Sequence, residues 1–145
     1  MDTSEERELA KALFGRVWTL LETEGRMREQ EDEMIHAAHA SRFHWGAVGG
    51  PEHRARGEWQ CSRVYAVLGR GEPAIHHASR CLEICEENGI GDWDLAFAYE
   101  ALARAHTAAG NRDEAGRYQQ LARQAGEQIT AEEDREVFDA DFASL

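Results

Sequence analysis

Proline is almost missing from this chain. The 145 residues hold two, Pro51 and Pro73. Both stand where a helix would begin, so no proline interrupts a helical reading. Cysteine is scarce and odd in number: Cys61, Cys81 and Cys85. There is no apolar leader segment, and no run approaches the ~18 apolar residues of a membrane span. A disulfide framework and a spanning helix are therefore not expected, and the chain reads as cytoplasmic and reduced. Cys81 and Cys85, four apart, share a predicted helical face with Ala78 and Leu82, which suits small buried residues. No stretch reads as a convincing strand. There is no P-loop, no G-x-G-x-x-G and no G-x-S-x-G elbow, and Gly89-x-Gly91 is too short and lacks a preceding strand.

What is abundant is negative charge. The net charge is −12, with acidic residues plentiful at both ends and sparse between Arg54 and Arg80. Such a surface repels phosphate backbones, so nucleic acid and anionic membrane are poor partners. It favours cationic ligands, metal ions or basic peptides, and it also serves plain solubility. The length fits one domain, 1–145, large enough to bury roughly 70% of its unfolded-chain surface.

Hydrophobic periodicity predicts seven helices. The first covers 4–24, with Ser4 as its cap and Glu5 and Glu6 in its first turn. Its apolar face is Leu9, Leu13, Phe14, Val17, Leu20 and Leu21, and Gly25 ends it. The second covers 27–47. One side carries Met34, Ile35, Ala38, Trp45 and Val48, and the other carries Glu29, Asp32, His36, His39 and Phe43. Gly49-Gly50-Pro51 is a turn. Further helices follow at 52–69, 72–88, 92–109 with Asp92 as cap, and 112–128. The pattern Thr130-x-x-Glu133 predicts a capping box opening the last one.

The chain matches itself at an offset of 41. Ser62, Gly69, Ala74 and Cys81 align with Ala103, Gly110, Ala115 and Ala122. Small residues spaced by twelve and then seven let the helices of a hairpin approach closely. In this the chain resembles the tetratricopeptide repeat. Tyr65 fills the aromatic slot of one repeat and Leu102 the leucine slot of the next. The likeness covers 55–128. It departs from the usual pattern in its length, seven residues longer, and in Glu58 and Tyr99, which stand where tryptophan is usual. His106 takes the second tyrosine slot, and the proline slot is empty in both repeats. The resemblance implies an all-α, right-handed stack of antiparallel hairpins: a degenerate first pair over 4–50, repeats at 52–88 and 92–128, and a capping helix over 130–145. Val137, Phe138, Phe142 and Leu145 suit the cap, which shields the apolar face of the last repeat. The chain also resembles a group of small uncharacterised bacterial proteins, through His39-Ala40-Ser41-Arg42-Phe43-His44-Trp45, Arg56-Gly57-Glu58-Trp59 and Ala98-Tyr99-Glu100-Ala101. That likeness brings no activity with it.

Two sets of residues are candidates for function. The first is a groove floor. Repeat proteins of this kind line a concave face from each repeat's first helix, which here offers Glu58, Trp59, Arg63, Tyr65, Asp94, Tyr99 and Glu100, with His106 beyond them. Trp59 and Trp93, near helix starts, suit aromatic anchors, whereas Trp18 and Trp45 read as core. The second set follows from histidine clustering, six of seven falling between 36 and 77. His36, His39, His44, Glu58 and His77 are the metal-ligand candidates, with Asp94 or Glu100 able to complete a site for zinc, nickel, copper or iron(II). Only one E-x-x-H occurs, Glu33 to His36, so a carboxylate-bridged dimetal site lacks its second half.

The leading expectation is a non-enzymatic binding module with no required cofactor. It would hold a peptide, a partner protein or a small ligand between the second, third and fifth helices, an acidic face meeting a basic partner. A metal-binding protein or metal-dependent enzyme is the alternative. Self-association through an apolar end helix is the third.

Overall fold

A computed structural model describes all of Met1–Leu145. It is all-helical, with no strand. The elements are α1 (Thr3–Leu21), α2 (Arg28–Val48), α3 (Pro51–Val67), α4 (Gly71–Glu87), α5 (Asp92–Ala108), α6 (Arg112–Gly126) and α7 (Glu132–Ala143). Consecutive helices pack as hairpins, α1 on α2, α3 on α4 and α5 on α6. These stack mainly through α2 on α3, α4 on α5 and α3 on α5. α7 rests on α5 and α6. The expected seven helices in stacked hairpins are present, with ends within three residues of those read from sequence.

The helix ends show which local signals act. Pro51 opens α3, where its missing N–H costs nothing. Gly69 and Gly110, which match at the repeat offset, both close their helices with positive φ, +74° and +79°. In that conformation Arg70 N–H reaches back to the Tyr65 carbonyl at 2.8 Å, and Asn111 N–H to that of His106 at 2.9 Å. Three expected caps differ. α1 is capped by Asp2, not Ser4: Asp2 accepts from Glu5 N–H at 2.8 Å, and Glu5 accepts from Asp2 N–H in return. Asp92 does not cap α5, because Gly91 takes that position. Thr130 forms no box with Glu133. Its N–H and its hydroxyl both donate to Asp92 Oδ1, at 3.0 and 3.1 Å. One carboxylate thus clips the start of α5 to the approach to α7, and Asp92 itself sits at φ +52°.

Small residues stand where helices come closest. Ser62 is buried on α3 and its hydroxyl donates to the Ala74 carbonyl of α4 at 2.8 Å. Ala74, Cys81, Ala103 and Ala122 are buried, and Ala115 is half-buried. A Cβ on Gly71 would lie 2.5 Å from Ala109 Cα, so the α3–α4 hairpin meets the end of α5 at backbone distance. The core runs along the stack in patches. Val17, Leu20, Met34, Ala37, Ala38, Cys61 and Val64 join α1, α2 and α3. Cys81 and Cys85 are both buried beside Ala55, Ile84 and Ala98, as their shared helical face implied. Phe138 of α7 seals Ala96, Ala122 and Ile129. No helix is long and apolar enough to cross a membrane.

Candidate functional site

The opening helices of the three hairpins, together with α7, line a half-open cavity of about 610 Å³. Its walls follow from helical spacing, since residues three, four and seven apart share a face. α1 contributes Phe14 and Trp18, α3 contributes Ala55, Arg56 and Trp59, and α5 contributes Trp93, Asp94 and Phe97. α7 contributes Val137, Ala140, Asp141 and Ser144, and Cys81 of α4 reaches the floor. The aromatic rings make a continuous lining. Trp18 and Trp59 lie 5.6 Å apart between centroids, and Phe97 meets Trp59 and Trp93 edge to face at 5.7 and 6.3 Å.

Charged groups bound this lining at two ends. At one, Arg56 Nε and Nη2 donate to the two oxygens of Asp94 at 3.0 and 3.1 Å. The same guanidinium lies 4.3 Å over the Trp93 ring. At the other, Glu100 is fully buried. Its Oε1 accepts from Arg63 at 3.2 Å and from Arg104 at 2.8 Å, and its Oε2 accepts a long bond, 3.4 Å, from the Trp59 indole. Arg63 also donates to Asp141 of α7 at 2.5 Å, while Arg104 reaches the Asp141 carbonyl and Ser144. Burial pushes the Glu100 carboxyl above the usual carboxylate range, with Arg63 and Arg104 opposing that shift. Two arginines and two carboxylates thus fasten α7 to α3 and α5.

A second polar group lies on another face of α3, between α2 and α4. Glu58 is buried, accepting from Arg42 Nε at 2.7 Å and from His77 Nδ1 at 2.9 Å. Burial works against its charge, but the bonds and charges of His77 and then Arg42 prevail, so its carboxyl sits below the ordinary value. His39 Nε2 is hydrogen-bonded to the Tyr65 hydroxyl at 2.8 Å, and its ring meets that of His77 edge-on at 5.2 Å. Burial first, and the His77 charge second, hold His39 below its ordinary value. Cys61 sits beneath, its thiol pushed up to about 12 by burial and by Glu58. It is inert as a nucleophile near neutral pH.

The seven groove candidates are divided by this arrangement. Trp59 and Asp94 line the cavity, and Arg63 and Glu100 form its charged end. Glu58 and Tyr65 face the α2–α3–α4 seam instead, and Tyr99 turns toward α6, stacking on Tyr118 at 6.5 Å. The groove is expected between the second, third and fifth helices; the apolar pocket of the structure lies instead between α1, α3, α5 and α7. Trp18, read as core, is half-buried in the cavity wall, whereas Trp45 is core as expected and stacks on His53 at 4.3 Å. The five metal candidates do not converge. His36 is exposed, His44 pairs with Glu6 of α1 at 2.8 Å, and His39 and His77 face each other beside Glu58. No three His, Cys, Asp or Glu side chains are grouped so as to hold a metal ion.

Sequence reasoning missed Phe14, Arg56, Phe97 and the α7 contribution. The available signal was aromatic pairing four apart, Phe14 with Trp18 and Trp93 with Phe97, each facing the row Arg56, Trp59, Arg63. Compared with models of protein families, with curated proteins and with solved structures, the chain gave no match in any of the three.

Proposed function

We propose that this protein is a helical-repeat binding module that takes a compact apolar ligand into the cavity between α1, α3, α5 and α7. The observation that carries the reading is the cavity itself: about 610 Å³, walled by Phe14, Trp18, Trp59, Trp93 and Phe97. Ligand sites are typically ~300–1,000 Å³, mostly apolar, with a few fixed polar groups. α7 closes the groove on one side, which favours a compact ligand over an extended peptide. Binding is the whole of the proposed activity. Cys61 is a buried thiol of high pKa, and His77 and Glu58 are engaged with each other.

The test is a fluorescence titration with the neutral probe N-phenyl-1-naphthylamine. Saturable one-to-one binding with quenching of tryptophan emission is expected. Ala140→Trp adds an indole from an exposed position on α7 and should fill the cavity. It is expected to weaken binding by at least about tenfold, roughly 1.4 kcal/mol, with the melting temperature little changed. Absence of saturable binding, or equal binding by the filled variant, overturns the reading.

A further inference from the structure

Among the charged groups that touch the cavity, carboxylates outnumber cations. Asp94 and Asp141 line it, and Arg56 is the one arginine that does. Arg56 is engaged by both oxygens of Asp94. Its side chain is also the most solvated of the three, 36% exposed against 11% for Asp94 and 18% for Asp141. Asp141 is only half used. Its Oδ2 accepts from Arg63 at 2.5 Å, whereas Oδ1 accepts no hydrogen bond, Arg104 Nη2 standing off at 3.8 Å. Nor is Oδ1 sealed in, since the polar atoms buried without a partner are Arg26 Nε, Gln60 Oε1 and Arg135 Nε. Behind the lining, Arg63 and Arg104 are answered by Glu100 and Asp141, so the site holds no excess of arginine over carboxylate.

The aromatic wall favours the same sign of ligand. The face of an indole is electron-rich and attracts cations. The chain uses that property twice here, with Arg56 4.3 Å over Trp93 and Arg63 5.1 Å over Trp59. Trp18, the third tryptophan of the wall, carries no arginine. From these observations we infer that the cavity's ligand is a small ring-bearing amine in its protonated form, its ammonium held by Asp141 and its apolar body by Trp18, Trp59 and Phe97. The inference rests on the cavity being a binding site. A carboxylate on the same body would meet Asp94 and Asp141, and the one guanidinium in the lining is already engaged. An ammonium shares Asp141 with Arg63, one cation to each oxygen, which the lone pairs of a carboxylate allow. The chain's net charge of −12 adds to this, drawing organic cations toward the cavity and repelling anions.

Calorimetric titration of the full chain with three probes of one shape tests it: 1-naphthylmethylammonium, 1-naphthylmethanol and 1-naphthoate. The ammonium is expected to bind at least about tenfold tighter than the alcohol, and the carboxylate weakest. Equal binding of ammonium and alcohol, or tightest binding of the carboxylate, overturns the cation assignment while leaving the apolar site standing. Binding of N-phenyl-1-naphthylamine without binding of the ammonium does the same. If no probe binds, both readings fall. Asp141→Asn removes the charge and keeps an amide oxygen for Arg63. With folding checked by circular dichroism, it is expected to reduce the preference for ammonium over alcohol to about threefold or less. An unchanged preference removes Asp141 from the role, and the wild-type series decides the ligand's charge whether or not the variant folds.

Discussion

Glu58 stands where the resembling repeat would place a tryptophan. The structure turns this carboxylate away from the cavity and uses it to tie Arg42 of α2 to His77 of α4. Removing one member of a buried ion pair strands the others, at a cost of about 3 kcal/mol or more. Glu58→Ala is thus expected to lower the urea midpoint substantially without touching the aromatic-lined cavity, and Glu58→Gln to lower it less. A Glu58→Ala protein of unchanged stability would contradict the buried-pair account. The same seam sets an acid response. His39 is held below its ordinary value of 6.5, so the unfolded chain binds the proton more readily. The stability that comes from keeping His39 neutral is fully present above pH 6.5 and declines as pH falls below it. Glu58, held below 4.5, contributes stability above pH 4.5 that is lost as pH falls further. Urea midpoints should therefore decline in two stages, and His39→Gln should flatten the upper one.

Among the elements, α7 is the one whose attachment bears most on the cavity. Gly126 ends α6 directly beneath the Phe138 ring, leaving no room for a Cβ. Gly126→Ala is expected to push Phe138, and α7 with it, off α5 and α6, costing about 1–3 kcal/mol as overpacking does. Faster protease cleavage between α6 and α7, with weaker probe binding, is the expected readout. An unaltered cleavage rate would mean that α7 adjusts locally. The helices themselves were legible from residue spacing, because the 3.6-residue period and the Gly and Pro punctuation are local signals. Helix faces were less so. Glu58 and Trp59 are adjacent in sequence and both were placed in the groove, yet ~100° of rotation sends one to the α2–α4 seam and the other to the cavity. Phe14 and Trp18 looked like ordinary core because nothing local marks a core face that the neighbouring hairpin leaves uncovered. The pairing of Asp141 with Arg63 joins residues 78 apart, and no spacing rule reaches that far.

Across the whole molecule, all but one of the 16 basic residues are arginine, Lys11 being the exception. Planar, bidentate, ring-stacking cations fit a protein whose internal links are Arg–carboxylate pairs and Arg–Trp contacts. These links are unevenly spread. The hairpin α1–α2 joins the rest mainly through α2 on α3, where Glu58, His39 and His77 sit, whereas α3, α5 and α7 share the Glu100 network. In a stack where each unit leans on its neighbours, weakening one junction releases the unit beyond it. Amide hydrogen exchange near pH 5 should show α1 and α2 losing protection before α5. Uniform loss along the chain would place the acid-sensitive step elsewhere.

The Trp18–Trp59 contact, 5.6 Å between centroids and tilted by 38°, joins α1 to α3 across that same junction. Two indoles this close, and not parallel, share their electronic excitation, and a chiral pair of coupled transitions produces a split circular-dichroism band of opposite-signed lobes. The protein therefore carries its own optical gauge of how the first hairpin sits on the second, readable without any label and silenced by replacing either tryptophan.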